Sequence, residues 1–80
     1  FNPETVIRYG LHQQSTVELA VYNVLGQRVR TLVEAEQKSG RYEVVWDGLD
    51  EAGRSVASGV YVYQLRAGGF LASRTMLLVR

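Results

Sequence analysis

The amino-acid sequence predicts an all-β domain, a sandwich of short antiparallel strands. Apolar and polar residues alternate with a period of two along most of the chain, which is the pattern of strands that bury one face. Turn residues recur about every 8–14 positions, the spacing typical of a β-sandwich. The one proline, Pro3, precedes the first alternating segment and therefore interrupts no strand pairing.

Length and composition indicate one small globular domain, residues 1–80. The hydrophobic fraction of 46% argues against a disordered chain. Cysteine is absent, so neither a disulfide nor a thiolate-bound metal can supplement a thin core. Stability must then come from tight packing of aliphatic residues, tyrosines and the single Trp46.

The charge balance argues against two classes of partner. Nine lysines and arginines against eight acidic residues give a net charge of +1, so we expect binding to neither nucleic acid nor an anionic membrane. No run reaches about 18 apolar residues, so no transmembrane segment is expected. The chain opens without methionine at Phe1, and we expect it to be the C-terminal piece of a longer secreted protein.

Alternation predicts six strands directly, at residues 6–11, 16–23, 28–33, 41–46, 60–67 and 70–80. In the second strand, Ala20 is predicted to share the face of Glu18, opposite the apolar residues. Residues 32–36 could continue the third strand or turn helically. Gly26 is a predicted positive-φ turn residue, and Gly68-Gly69 is a two-residue hairpin signal.

No catalytic residue is predicted. His12 is the only histidine, and it sits in a polar turn without a nucleophile-elbow motif around any serine. A serine hydrolase would need that histidine beside one of the five candidate nucleophiles, Ser15, Ser39, Ser55, Ser58 and Ser73. We therefore interpret His12 as a turn residue and expect no enzyme.

Three carboxylates form a weak candidate metal site in the loop 47–58. Asp47, Asp50 and Glu51 could offer hard oxygen ligands to calcium, although their spacing does not match an EF-hand. Asp and Gly are also the residues that turns require, so we favour a network that holds the loop, with turns at Gly48 and Gly53. No cofactor is expected.

The aromatic residues could form either a surface that stacks on a ligand or part of the hydrophobic core. Tyrosines and Trp46 could stack on a sugar or a base, but most of them alternate with polar residues, as core aromatics do. We expect Trp46, Tyr61 and Tyr63 in the core. A carbohydrate-binding sandwich would require Tyr22 and Trp46 to be exposed together.

The last strand departs from alternation. Met76-Leu77-Leu78-Val79 is a run of four apolar residues, which predicts a central strand covered on both faces. The alternative is a terminal strand that a partner recognises or that adds to another sheet. In that case Arg74 and Arg80 could anchor the partner.

Several segments together resemble a known module. They are Phe1-Asn2-Pro3, residues 21–29, Gly40, Trp46-Asp47-Gly48, Gly53-Arg54, residues 58–63 and residues 74–80. Their order and spacing resemble the C-terminal sorting domain of type IX secretion substrates, in the variant related to the immunoglobulin-like domain of the flagellar hook-capping protein. The resemblance implies an immunoglobulin-like antiparallel β-sandwich of about seven strands.

The resemblance also implies a function and partners. It implies a non-catalytic module that an outer-membrane secretion translocon recognises and that a sortase-like peptidase often removes. The parent protein would lie outside the cell or on its surface after transit through the periplasm. By family match, the recognition residues are Gly59, Val60, Tyr61, Arg74, Met76, Leu77, Leu78, Val79 and Arg80.

A structural role is the alternative hypothesis. The module could instead be a subunit or linker of an extracellular or flagellar-type assembly. It would then join neighbours, or copies of itself, through an exposed edge at residues 75–80.

Overall fold

The computed structural model describes residues 4–79 and confirms the all-β prediction. The Phe1-Asn2-Pro3 motif and Arg80 lie outside the described residues. Within residues 4–79 there are six strands, one fewer than the resemblance implies, and no helix long and apolar enough to cross a membrane. The strands are β1 (Thr5–Leu11), β2 (Ser15–Tyr22), β3 (Arg28–Gln37), β4 (Gly40–Trp46), β5 (Gly59–Ala67) and β6 (Phe70–Leu78).

The strands form two antiparallel sheets. One sheet pairs β1 with β4, from Thr5 opposite Trp46 to Leu11 opposite Gly40. The other sheet has the order β3-β2-β5-β6. Strands β2 and β5 are therefore central, and β3 and β6 form the two edges of the larger sheet.

The sandwich has two distinct ends. Thr5 pairs with Trp46, and Trp46 belongs to the same core cluster as Leu78. The start of β1, the end of β6, the turn 23–27 and the loop 47–58 thus lie at one end, which we call the Trp46 end. The short turns 12–14, 38–39 and 68–69 lie at the opposite end, which we call the hairpin end.

The core fills the space between the sheets in two adjoining clusters. Near the Trp46 end, Trp46 is fully buried and meets Tyr61 edge to face, with ring centroids 5.2 Å apart. Tyr63 is half-buried against both clusters, so the expected aromatic core is confirmed. The buried residues are Ile7, Val17, Leu19, Leu65 and Ala67 in one cluster and Val21, Trp46, Tyr61 and Leu78 in the other.

Strand pairing decides two local features that the residue pattern leaves open, the end of β3 and the burial of Ala20. The third strand does not turn helically at 32–36 but continues to Gln37, because that half of β3 pairs with the first half of β2 from Ser15 to Leu19. Ala20 is only 1% exposed, although it lies on the face of Glu18. It sits in a central strand, paired with Thr31 of β3 on one side and Gln64 of β5 on the other.

The predicted glycine turns are confirmed. Gly26 has φ of 80°, and its turn is held by Asn23, whose Oδ1 accepts from the backbone N–H groups of Leu25 and Gln27 at 3.0 Å. Gly68-Gly69 closes the β5–β6 hairpin between the paired residues Ala67 and Phe70.

Candidate functional site

Strand β6 is an edge strand, which corrects the prediction of a central one. It pairs with β5 on one side, and no other strand of the described residues pairs with its other side. Its apolar run is not covered on both faces. Leu78 is 2% exposed and Met76 is half-buried, whereas Leu77 is 65% and Val79 63% exposed. An open edge with exposed apolar side chains is a template for pairing with another strand.

The fold brings together two segments that the resemblance singles out. Gly59 lies opposite Leu78, Val60 opposite Leu77, and Tyr61 opposite Met76. Val60 and Leu77 form an exposed apolar pair on the outer face of the larger sheet. Tyr61 and Leu78 are buried in the core instead, so of these residues Val60 and Leu77 are available to a partner.

Tyr61 has a structural role at this site. It is 7% exposed, and its hydroxyl donates a 2.6 Å hydrogen bond to the carbonyl of Ala57. Gly59 has φ of 152°, which lies in the region that favours glycine, at the point where the loop enters β5. Both residues lie at the loop-to-strand junction, where Tyr61 holds Ala57 and Gly59 provides the backbone conformation.

The exposed Tyr22–Trp46 pair that the carbohydrate interpretation requires is not formed. Trp46 is fully buried, so it cannot pair with Tyr22 on the surface. Tyr22 is half-buried, and Arg28 covers it, with the guanidinium carbon 5.8 Å from the ring centroid. A hydrogen bond to the Tyr22 hydroxyl is the largest cause that raises the pKa of Arg28. The carbohydrate interpretation is therefore wrong.

The carboxylates of the loop 47–58 hold the loop. Arg30 on β3 donates from Nη1 to Asp47 Oδ1 at 3.2 Å, and its Nε lies 3.9 Å from Glu51 Oε2. Asp50 accepts from the backbone N–H groups of Ala52 and Arg54, and this second bond is the largest cause that lowers the pKa of Asp50. No group of three potential ligands that could hold a metal exists among residues 4–79.

Glu51 also covers part of the edge of β3. Its backbone N–H donates to the carbonyl of Val29 at 3.0 Å, and its Oε1 accepts from the backbone N–H of Thr31 at 3.0 Å. The two edges of the larger sheet are thus unequal, because a loop occupies this stretch of β3. Nothing in the spacing of the sequence signals this contact, since it joins residues 20 positions apart.

Neither the turn that contains His12 nor the cleft at the Trp46 end forms a catalytic site. His12 lies exposed in the turn 12–14, and the nearby Ser15 hydroxyl donates to the carbonyl of Gln13 at 3.1 Å. A cleft of about 550 Å³ opens at the Trp46 end between the turn 23–27 and the loop 47–58, with charged walls and wide access to solvent. Neither place assembles a nucleophile, a base and an oxyanion donor.

A family assignment follows from comparison with known proteins. The family model described as the FlgD Ig-like domain matches residues 4–69. The chain belongs to the FlgD Ig-like domain family. Most of the sandwich lies within this match, whereas β6 begins at Phe70, just beyond it. No curated protein matches the chain significantly.

A solved FlgD structure shares the fold. A crystal structure of FlgD from P. aeruginosa superposes with a TM-score of 0.71 at 24% sequence identity and covers 94% of this chain. The chain spans 57% of the length of that FlgD chain. The resemblance is therefore confirmed for the immunoglobulin-like family, and the type IX sorting assignment stays a prediction.

Proposed function

We propose that this FlgD Ig-like domain is a non-catalytic structural module that joins its parent protein to a neighbour in an extracellular or flagellar-type assembly. The joint is the open edge of β6, to which an extended segment of the neighbour adds as a further strand. The observation that carries the proposal is the placement of β6 at the edge with Leu77 65% exposed. Family membership supports a structural role.

The physical basis of the proposal is a difference between the two edges of the larger sheet: a loop residue covers part of β3, whereas β6 is open. An edge strand presents unpaired backbone N–H and C=O groups, and an added strand would satisfy them. Strand β3 has Glu51 against Val29 and Thr31, whereas β6 combines its open side with the apolar pair Val60 and Leu77. Burial of that pair would stabilise the joint, because each apolar Å² removed from water contributes about 25 cal/mol.

The test uses the parent protein in its own host. Leu77→Lys places a charge on the proposed joint without entering the core, and Leu25→Lys is the matched control, since Leu25 is 79% exposed in the turn 23–27. We expect the Leu77 variant to reach its normal compartment but to remain unassembled, as measured by sedimentation. Assembly equal to that of the Leu25 variant would exclude β6 as the joint.

An export signal is the second candidate function. The pairing of Gly59–Tyr61 with Met76–Leu78 favours it, because the two segments implied by the sorting-domain resemblance lie side by side on neighbouring strands. In this proposal an outer-membrane translocon reads β6, a sortase-like peptidase can remove the domain, and the parent protein ends outside the cell or on its surface.

The same pair of variants separates the two functions. Retention of the Leu77→Lys parent protein in the periplasm, with the Leu25→Lys protein exported, would support the export signal and exclude a role limited to assembly. Export of both variants would exclude this second candidate. Deletion of residues 75–80 is a poorer probe, because it also removes the buried Leu78.

A further inference from the structure

The small net charge conceals an uneven distribution. All eight carboxylates lie in residues 1–54 together with six of the nine cations, which gives that segment a net charge of −2. Residues 55–80 contain Arg66, Arg74 and Arg80 and no acidic residue, so their net charge is +3. Strands β5 and β6 both fall in this cationic segment. The open edge of the larger sheet therefore has one sign of charge.

Arg74 is the charge on β6 that a partner would meet. It lies in the middle of the strand, opposite Tyr63, and is exposed. No carboxylate among residues 4–79 lies within ion-pair distance of it, whereas Arg66 on the neighbouring strand has Glu18 at 4.0 Å. A guanidinium that lacks a partner on an open edge favours an incoming carboxylate.

We propose that the segment that adds to β6 is an acidic extended strand of another protein. It carries a carboxylate beside Arg74 and, three residues away and on the opposite face, an apolar side chain beside Leu77. Arg74 and Leu77 lie on opposite faces of β6 because side chains alternate along a strand. The inference rests on the proposed function, in which β6 is the docking edge, and adds the chemistry of its partner.

A second copy of this chain is a poorer occupant of the edge. An antiparallel pairing of two β6 edges that brings the exposed Leu77 of each copy together is centred on Leu77. That register sets the sequence position of Arg74 opposite Arg80 of the other copy. Like charges directly opposite one another destabilise a strand pair. We therefore expect the chain to be monomeric and its partner to be acidic.

The test measures the binding of synthetic strands to the 80-residue chain. Three peptides of alternating valine and threonine differ only in the residue that faces Arg74, which is glutamate, glutamine or arginine. Backbone amide NMR locates the contact and gives the affinity. We expect the shifts to map to β6 and the glutamate peptide to bind about two- to fivefold more tightly than the glutamine peptide at low salt.

Charge reversal provides the decisive comparison. Arg74→Glu should reverse the order, so that the arginine peptide binds best, whereas Arg41→Glu should leave it unchanged. Arg41 is the matched control, because it is exposed on β4 and also lacks an ion pair among residues 4–79.

Each other outcome overturns a distinct claim. Equal binding of the three peptides at β6 would overturn the acidic partner but leave β6 as a docking edge. An absence of shifts at β6 up to millimolar peptide would overturn both. A dimer of the wild-type chain that Leu77→Lys dissociates would replace the acidic partner with a second copy.

Discussion

Trp46 and Tyr61 meet edge to face between the two sheets, with ring planes inclined at 68°. Trp46 Nε1 donates to the carbonyl of Leu49 at 3.0 Å, and the Tyr61 hydroxyl donates to the carbonyl of Ala57. The two rings thus hold the loop 47–58 near both of its ends as well as joining the sheets. One aromatic pair couples the core to the longest loop of the described chain.

We predict that Trp46→Ala costs about 3–5 kcal/mol of unfolding free energy, because the fully buried ring leaves a cavity. Trp46→Phe should cost about 1–2 kcal/mol, since it keeps a ring against Tyr61 but loses the hydrogen bond to Leu49. Urea unfolding followed by far-UV circular dichroism measures both values. Costs that differ by less than about 0.5 kcal/mol would contradict this division between packing and hydrogen bonding.

Adjacent leucines on β6 should respond in opposite ways. Leu78→Lys should prevent stable folding, because it buries an unpaired charge at a position that is 2% exposed. Leu77→Lys should change the unfolding free energy by no more than about 0.5 kcal/mol, since its side chain faces solvent. Thermal unfolding of both variants is the measurement, and a similar loss in both would argue against the register of β6.

Glu51→Ala should open the covered part of the β3 edge. The backbone N–H of Thr31 loses its acceptor, so its hydrogen exchange should accelerate about fivefold or more. Glu34→Ala is the control, because Glu34 lies on the same strand and pairs in register with Glu18 on β2, away from Thr31. Unchanged protection of Thr31 in the Glu51 variant would show that the loop does not hold this edge.

The lowered pKa of Asp50 predicts that the stability of the domain falls at low pH. The hydrogen bond from the Arg54 backbone N–H lowers the pKa of Asp50 in the folded chain. A lowered folded pKa gives stability that is present above the ordinary pKa of about 4 and is lost as the pH falls through the folded value. Asp50→Asn keeps an acceptor but lacks the charge. Melting temperatures measured from neutral pH into acid should show the advantage of the wild type shrinking below about pH 4.

The two glycines of the β5–β6 hairpin should respond differently when each is replaced by alanine. Gly68 has φ of 59°, whereas Gly69 is not among the positive-φ glycines. Gly68→Ala should cost about 1 kcal/mol through backbone strain alone, because no atom lies within 4 Å of the added Cβ. Gly69→Ala should be neutral or stabilise by about 0.4–1 kcal/mol. Equal effects in chemical denaturation would exclude this turn geometry.

Much of the fold could be predicted, because the order of apolar, polar and glycine residues along the chain specifies the strands and tight turns. Alternation places Trp46 in the core, and a Gly-Gly pair between two alternating runs is enough for a tight hairpin. Ala20 shows the limit of such patterns, since its burial depends on which strands flank β2. The extension of β3 likewise depends on pairing with Ser15 to Leu19, which overrides the local tendency of residues 32–36 to turn.

The candidate site was only partly predictable for the same reason. The sequence singles out residues 74–80, but an apolar run is compatible with a central or an edge strand. Strand order decides between them, and it exposes Leu77 while burying Leu78. The contacts of Glu51 with Val29 and Thr31 join distant positions through a loop, and no periodicity carries that information.

The start of β1 and the end of β6 share the Trp46 end of the sandwich. A load that pulls Thr5 and Leu78 apart would peel each outer strand from its neighbour one residue pair at a time. Single-molecule stretching between these two points should therefore record gradual opening at low force. A domain pulled from these two points would therefore resist stretching only weakly and would contribute little tensile strength.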